Sequence, residues 1–362
     1  NRRSGFMKNK KKIMAVAGGS GGHIFPAAAF CLDIQRNYQN RAECILVTNI
    51  GSKSNATSSL IPDSLTCVDL KASKTPSGIW ALAIRSLSVF LRFSPDVIVG
   101  FGGFCTVPLI LLARLCGRKA FIHEQNVMPG RANRFLSAFA HKIFISFSGT
   151  QPYVQRFIRK VTLVSFPLRS SMVKMDKATA LHFFGLNENF FTVLIIGGSQ
   201  GSHVLNEKIS EAVKQSPQAD RFQLIHICGP SDEETLKGAY RQAGVRSKVF
   251  AFLNEMHYAY SAADLVISRA GAGAVMEITR LGLPAILVPY PYAGGHQKEN
   301  AKFLAQKGAA LLLEESQLTP VLLNGLLAIF IDDAMRRKTM SSLAVALFET
   351  MGKTSLSEAV LS

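Results

Sequence analysis

Two glycine-rich turns stand out because each follows an apolar run and precedes a segment of helical character. The first is Gly18–His23, with the letters GGSGGH, and the second is Gly197–Gly201, with GGSQG. A glycine-rich turn between a strand and a helix leaves backbone N–H groups exposed at the helix N-terminus, where they can hold phosphate or another anion. The turns lie about half the chain apart, which predicts two similar domains with a ligand between them.

Two side chains beside such turns are candidates for chemistry. His23 follows the first turn, where an imidazole can act as a general base near neutral pH or simply pack against the helix start. Glu277 follows the turn Arg269–Gly273. Its carboxylate can accept two hydrogen bonds from a ribose diol, or it can be an ordinary solvated helix residue. The residues alone leave both alternatives open.

Short apolar runs alternate with helical segments along the chain, which predicts parallel sheets with helices on both faces. We therefore predict an α/β protein with two Rossmann-like, doubly wound domains, residues 7–166 and 167–342. A C-terminal helix within 343–362 is expected to pack back on the first domain. The predicted strands are Ile13–Ala17, Cys44–Thr48, Asp96–Val99, Ala120–His123, Lys142–Ile145, Val193–Ile196, Leu224–Ile227, Val249–Ala251, Leu265–Ile267 and Ala285–Val288.

Electric charge is distributed unequally between the two halves. The chain has 362 residues and a net charge of +17, but residues 1–165 hold 22 Lys and Arg against 6 Asp and Glu, whereas residues 166–362 hold 19 against 18. A basic half beside a near-neutral half indicates that one half faces an anionic surface. Nucleic acid is disfavoured, because the basic half shows no helix-turn-helix, zinc or aromatic-basic RNA-binding pattern.

The segment Ile79–Phe93 is the candidate for that contact. It is apolar and aromatic, contains Trp80, the only tryptophan, and is accompanied by Lys71, Lys74, Arg85 and Arg92. A basic, aromatic, apolar helix suits an anionic membrane surface, and a core helix with a wet basic edge is the alternative. The apolar runs fall well short of the roughly 20 residues of a transmembrane helix.

Metal ions and cofactors are not expected. The six cysteines are scattered without a C-x-x-C pair, as is typical of reduced thiols in a cytoplasmic protein. No spaced D-x-D pair follows a predicted strand, and the adjacent Asp332 and Asp333 are interpreted as a solvated helix face.

Taken together, these groups resemble one family, the bacterial MurG N-acetylglucosaminyltransferases, from Gly18 to about Leu313. Any one of the motifs is common, but HEQN together with GGSQG is quite specific. The matching motifs, in order, are G-G-x-G-G-H-x-x-P at Gly18–Pro26, G-x-G-G at Gly100–Gly103, HEQN at His123–Asn126, GGSQG at Gly197–Gly201, the Arg269 to Glu277 segment, and His296-Gln297 with Asn300-Ala301.

The resemblance implies a GT-B glycosyltransferase with two facing domains and a cleft between them. It implies inverting, metal-independent transfer of N-acetylglucosamine from UDP-N-acetylglucosamine to the undecaprenyl-linked muramyl-pentapeptide of peptidoglycan synthesis. The implied donor contacts are Arg169, Ser199, Gln200, Leu253, Met256, Arg269, Glu277, His296 and Gln297. The implied acceptor contacts are Ser20, Gly21, Gly22, Gly102, Gly103, Asn126 and Asn133. His23 is the first candidate for the catalytic base and Glu124 the second.

The resemblance also implies a peripheral enzyme on the cytoplasmic face of the cell membrane, in contact with anionic lipid and possible cell-wall synthesis proteins. Ala270 and Gly295 depart from the family's usual residues, so the donor-sugar contacts there transfer least securely. The alternatives are another two-domain UDP-sugar transferase, an epimerase, or a non-catalytic membrane-associated nucleotide-binding scaffold.

Overall fold

The computed structural model describes residues 10–50, 61–71, 73, 75–198 and 201–362. The chain forms two compact units, Asn1–Arg169 with Met351–Ser362 and Ser170–Thr350. Each unit is an α/β domain around one parallel sheet. The first unit ends at Arg169, three residues after the predicted domain boundary at residue 166. Residues 343–350, which were predicted to pack on the first domain, lie in the second unit.

The described residues of the first unit form seven parallel strands in the order β3-β2-β1-β4-β5-β6-β7. The central strand β1 is buried from Ile13 to Ala17 because helices cover both faces of the sheet. The strands are β1 Lys11–Gly18, β2 Ala42–Asn49, β3 Cys67–Asp69, β4 Val97–Gly100, β5 Lys119–Glu124, β6 Lys142–Ile145 and β7 Val161–Leu163.

The helices of the first unit connect consecutive strands. They are α1 Gly21–Asn37, α2 Pro76–Phe93, α3 Thr106–Leu115 and α4 Arg131–Leu136, with a 3₁₀ segment Ser148–Lys160. Helix α2 has a capped start, since Thr75 accepts a hydrogen bond from the Gly78 N–H and Pro76 occupies the first turn.

The second unit repeats the same winding. Outside the undescribed residues 199 and 200, it has six parallel strands, in the order β10-β9-β8-β11-β12-β13. They are β8 Phe191–Ile196, β9 Phe222–Ile227, β10 Ser247–Phe250, β11 Leu265–Ser268, β12 Ala285–Leu287 and β13 Leu311–Leu312. The helices are α5 Lys177–Phe184, α6 His203–Lys214, α7 Glu233–Gln242, α8 Met256–Ala262, α9 Ala272–Leu281, α10 His296–Ala305, α11 Pro320–Asp332 and α12 Ala334–Glu349.

The end of the chain returns to the first unit, but not as one helix from 343. Helix α12 stays in the second unit, where Ser341 donates a hydrogen bond to the Gly282 carbonyl at 2.6 Å. The chain then crosses at Gly352, where an added Cβ would lie 2.3 Å from the Val164 carbonyl carbon. The short helix α13 Leu356–Leu361 is capped by Ser355 and packs into the core of the first unit against α1.

Helix α2 exposes an apolar stripe. Trp80, Ile84, Leu87 and Leu91 recur at helical spacing and are 72%, 66%, 44% and 66% exposed, while Leu82 and Phe90 on the other face are buried. The described part of the chain has no helix with the length and apolar character needed to span a bilayer.

Candidate functional site

Two glycine-rich turns of the first unit, Gly18–His23 after β1 and Gly100–Gly103 after β4, are in direct backbone contact. The Gly18 N–H donates to the Gly102 carbonyl at 2.8 Å. A Cβ on Gly103, whose φ is +90°, would lie 2.5 Å from the Gly18 Cα, so a larger residue cannot be placed there without displacing β1. The loops after β1 and β4 therefore form one continuous glycine surface at the carboxyl edge of the sheet.

His23 stands on this surface in the first turn of α1. Its Nδ1 lies 3.0 Å from the Ser20 hydroxyl, which fixes the orientation of the ring. The ring lies against the second turn, since a Cβ on Gly102 would be 3.1 Å from the His23 Nε2. Next to it, Gly21 is buried at the helix start, while Gly22 is exposed with open space where a side chain would be. The structure thus brings the residues Ser20–His23 together with Gly102 and Gly103.

The HEQN motif ends β5 and is held by its own side chains. Glu124 is 2% exposed, and its carboxylate accepts four hydrogen bonds. The donors to Oε1 are the Asn126 N–H at 2.9 Å and its side-chain amide at 3.2 Å; those to Oε2 are the Gly130 N–H at 3.0 Å and the Asn133 amide at 2.8 Å. The geometry therefore assigns Glu124 to loop organisation and disfavours it as the second candidate base.

The other two members of the motif point into the protein. His123 is fully buried, with Nε2 2.9 Å from the Ser146 hydroxyl, and burial lowers its pKa to about 3. Gln125 donates to the Phe101 carbonyl at 2.6 Å, which fixes the turn between Gly100 and Gly102. His123 is thus a neutral core residue. The buried Asn133 orients towards Glu124 and the His123 carbonyl, within reach of Gly102.

In the second unit, the turn after β8 packs on the loop after β9. A Cβ on Gly201, whose φ is +76°, would lie 2.2 Å from the Cys228 carbonyl oxygen, and one on Gly197 would lie 2.9 Å from the Ser202 nitrogen. Ser199 and Gln200 lie outside the described residues. The described part of the turn leads directly into α6, whose N-terminus favours an anion.

Arg269 is buried after β11 and forms hydrogen bonds to the loops that follow β8 and β12. It is 4% exposed and forms an ion pair with Glu315. Its guanidinium also donates to the Ser202 hydroxyl, with Nε at 3.1 Å, and to the Val288 and Pro289 carbonyls at 3.3 and 3.4 Å. Its charge is therefore matched inside the unit, and we assign it to positioning the turn rather than to neutralising phosphate. Ser202 and Glu315 belong to no recognisable motif, so neither could be predicted as a partner of Arg269.

Gln297 and Asn300 on α10 hold the loops around Arg269. The Gln297 Oε1 accepts from the Ala270 N–H at 3.2 Å and from the Tyr290 N–H at 2.9 Å. Asn300, which is buried, donates to the Ala270 carbonyl at 3.0 Å. His296 is the first residue of α10 and lies beside Gly294. The loop between β12 and α10 is thus tied to the loop after β11.

Glu277 on α9 is oriented by a residue that sequence reasoning missed. Tyr260 on α8 is 1% exposed, and its hydroxyl donates to the Glu277 Oε2 at 2.8 Å. Leu253 and Met256, both at most 9% exposed, lie before and at the start of the same helix. Tyr260 stands one turn after Met256, and this spacing is the only sequence signal for it.

Arg169 belongs to the first unit, where its guanidinium lies 5.7 Å from the Phe25 ring of α1. The described residues contain no group of three or more His, Cys, Asp or Glu side chains arranged to hold a metal ion.

Replacing Glu124 with Gln should destabilise the first unit. The NH₂ group of the new amide would face N–H groups of Asn126, Gly130 or Asn133, and two donors cannot form a hydrogen bond with each other. We expect a loss of about 2–3 kcal/mol, seen as a fall in melting temperature. Glu43→Gln, which removes an exposed partner of Lys12, is the control and should change little. An unchanged melting temperature with lost turnover would return Glu124 to the role of base.

Comparisons with known proteins agree with this arrangement. Residues 13–145 match the glycosyltransferase family 28 N-terminal domain, and residues 192–358 match the glycosyltransferase family 28 C-terminal domain. The fold is shared more widely: UDP-GlcNAc 2-epimerase from Neisseria meningitidis, solved with UDP-GlcNAc bound, superposes with a TM-score of 0.66 at 13% identity, over 97% of this chain and 98% of that chain. That likeness concerns the fold alone.

More similar relatives share the sequence as well. The UDP-N-acetylglucosamine–N-acetylmuramyl-(pentapeptide) pyrophosphoryl-undecaprenol N-acetylglucosamine transferase of Desulforamulus reducens is 33% identical over 85% of this chain and 87% of its own length. The protein of the same name from Coxiella burnetii is 34% identical over 91% and 92%. The crystal structure of Acinetobacter baumannii MurG has a TM-score of 0.72 at 28% identity, over 97% and 98%. The chain belongs to the MurG family of glycosyltransferases.

Proposed function

We propose that this chain transfers N-acetylglucosamine from UDP-N-acetylglucosamine to the muramyl-pentapeptide pyrophosphoryl-undecaprenol lipid in peptidoglycan synthesis. The observation that carries the proposal is the similarity to relatives named for this reaction, at 33–34% identity over most of both chains. The donor is a nucleoside diphosphate sugar, and the acceptor is a lipid diphosphate. In each unit, the glycine-rich turn that follows the first long strand, Gly18–His23 or Gly197–Gly201, leads into a helix N-terminus and suits a diphosphate.

The second unit is the proposed donor domain. Glu277, held by Tyr260, is suited to accept hydrogen bonds from the ribose hydroxyls, and the apolar Leu253 and Met256 suit the base. The turn before α6 is suited to the diphosphate. Because Arg269 is already paired with Glu315, we propose that backbone N–H groups and the α6 dipole stabilise the charge on the leaving UDP, without a metal ion.

The first unit is the proposed acceptor domain, and His23 is the proposed base. Its ring is oriented by Ser20 and lies on the glycine surface of Gly18, Gly102 and Gly103. We propose that this surface holds the acceptor diphosphate, with Asn126 and Asn133 beside it. His23 removes the proton of the acceptor hydroxyl as that oxygen attacks the anomeric carbon. Direct displacement of UDP inverts the configuration there.

Helix α2 is the proposed membrane contact. Its stripe of Trp80, Ile84, Leu87 and Leu91 faces solvent, so these residues do not form part of the core. Arg92 is exposed on the same helix, and Arg85 donates to the Leu70 and Lys71 carbonyls at 2.6 and 2.8 Å. An apolar stripe in a unit with excess positive charge suits an anionic bilayer surface. We propose a peripheral location on the cytoplasmic face of the membrane, as the family resemblance implies.

His23→Ala should lower kcat by roughly 10²–10⁴-fold while UDP-N-acetylglucosamine binding persists, because the base acts only in the chemical step. Turnover is measured as UDP release with lipid acceptor present, and binding by calorimetry. Ser20→Ala, which removes only the group that orients the ring, should cause a smaller loss. Near-normal turnover of His23→Ala would exclude His23 as the base.

Tyr260→Phe should weaken UDP binding roughly three- to tenfold, because the Glu277 carboxylate loses the hydrogen bond that orients it. Calorimetry with UDP measures the change. Tyr258→Phe on the same helix is the matched control, since its ring stacks on Phe183 and the substitution keeps that contact. Equal affinities for the Tyr260→Phe and Tyr258→Phe proteins would contradict the proposed role of the Tyr260–Glu277 pair.

Replacing Trp80 and Ile84 with Ser should reduce sedimentation with vesicles that contain anionic phosphatidylglycerol, because it removes the most exposed part of the stripe. The control replaces Val321 and Met335, which are 83% and 71% exposed in the second unit, with Ser. Binding of the wild-type protein should fall as salt rises. The membrane proposal would be contradicted if sedimentation with vesicles did not change with the lipid charge or with the α2 substitutions.

A further inference from the structure

A pair of oppositely charged side chains, His203 and Asp232, lies beside the proposed donor turn. His203 is the first residue of α6, and its Nδ1 lies 2.9 Å from the Asp232 Oδ1 in the loop after β9. The imidazole is largely exposed, whereas the Asp232 side chain is 14% exposed. The pair therefore connects the end of the turn Gly197–Ser202 to a neighbouring loop.

Asp232 is held in place from inside the unit. Asn206, one turn after His203 and 1% exposed, donates from its amide nitrogen to the Asp232 Oδ2 at 2.7 Å and to the Cys228 carbonyl at 2.8 Å. Gly201 packs on the same Cys228 carbonyl. The loop that carries Asp232 is thus a fixed support against which the turn and the start of α6 are held.

The hydrogen bonds that hold Asp232 continue from Asn206 into the core, and the donor and acceptor of each bond can be assigned. Since the Asn206 nitrogen is the donor, its Oδ1 must accept, and the His226 Nε2 donates to it at 3.0 Å. The His226 Nδ1 then accepts from the Tyr240 hydroxyl at 2.7 Å. Both rings are buried, and burial lowers the pKa of His226 to about 3. His226 stays neutral, so His203 is the histidine of this hydrogen-bonded network whose charge can change.

The charges around His203 favour its protonated form. The hydrogen bond to Asp232 raises its pKa, and the charges of Asp232 and of Glu207 on α6 act in the same direction, whereas desolvation opposes them. On the adjacent α7, Glu233 is engaged with Lys237 at 2.9 Å. A cation at a helix N-terminus is otherwise unfavourable, so the pairing with Asp232 explains why it is tolerated there.

We propose that His203 is a positioning residue of the donor site, whose protonated imidazole, paired with Asp232, holds the start of α6 and the preceding Gly201 and Ser202 in the form that binds the donor diphosphate. This inference rests on the proposed function, because it takes the turn to be the diphosphate site. The residue acts through the turn and not on the reacting atoms.

The sign of the pH dependence follows from the raised pKa. The ion pair is fully present below the ordinary histidine pKa and is lost as pH rises through the higher value of the folded state. A neutral imidazole still donates a hydrogen bond to Asp232, but a weaker one. For an exposed pair we expect donor affinity to fall about two- to fivefold across this range.

The test is calorimetry of UDP-N-acetylglucosamine binding between about pH 5.5 and 8.5. This ligand is preferred to UDP because its diphosphate is esterified at both ends and does not titrate there. His203→Gln should bind more weakly at low pH and lose the two- to fivefold change. His203→Arg, a permanent cation, should keep the tight binding at high pH. His182→Gln, an exposed histidine on α5, is the control and should behave as wild type.

The outcomes separate this inference from the proposed function. If the wild type binds the donor but His203→Gln keeps the full pH dependence, the positioning role is wrong and the proposed function stands. If the wild type does not bind the donor at any pH, the donor assignment fails and the inference fails with it. Melting temperatures of the variants close to that of wild type show that the affinity change is not a loss of fold.

Discussion

Close contact between backbones at glycine is the constraint on which both candidate sites depend. In the first unit, Gly18 and Gly103 approach so closely that a Cβ on either would meet the other at 2.5–2.8 Å. In the second, Gly201 lies on the Cys228 carbonyl in the same way. The absence of side chains leaves the backbone N–H groups and helix N-termini exposed at the carboxyl edge of each sheet, which is where a diphosphate can be held.

Around these turns, two buried charged side chains hold the loops in place, and neighbouring polar groups compensate the charge of each. Glu124 is surrounded by four N–H donors, and Arg269 by Glu315, a hydroxyl and two carbonyls. A buried charge without such partners would cost several kcal/mol, so the surrounding groups fix its place. His23 and Glu277, by contrast, are only partly buried and are open to contact with a ligand. This division separates residues that build the site from residues that act in it.

Much of the fold follows from the sequence, and the gaps have physical reasons. All ten predicted strands are present, with each end within two residues of its predicted position, because strands buried on both faces appear as continuous apolar runs. The strands that were missed, β3, β7 and β13, are two or three residues long and lie at sheet edges, where one side lacks a partner and the apolar run is short. The break between α12 and α13 depends on contacts at Gly352 with a segment almost 190 residues away, which local periodicity does not reveal.

The sequence predicts where the candidate sites lie in the fold better than it predicts the orientation of their side chains. Strand ends and glycine turns located the groups, and the family resemblance assigned them to donor and acceptor. What could not be predicted is which polar side chains face inwards: Glu124 and Arg269 turned out to be internally paired, and Tyr260, Ser202, Glu315 and Asp232 carry no motif. Their roles arise from contacts between residues 17 to 67 positions apart.

The central claim is that this chain couples a UDP-sugar donor to a lipid diphosphate acceptor, with His23 taking the proton. The most direct measurement is UDP release from UDP-N-acetylglucosamine, with and without the muramyl-pentapeptide pyrophosphoryl-undecaprenol lipid, for the wild-type protein and for His23→Ala. The account predicts release that requires the lipid and is nearly abolished in the variant. Release that is independent of the lipid, or unaffected by the loss of His23, would contradict it.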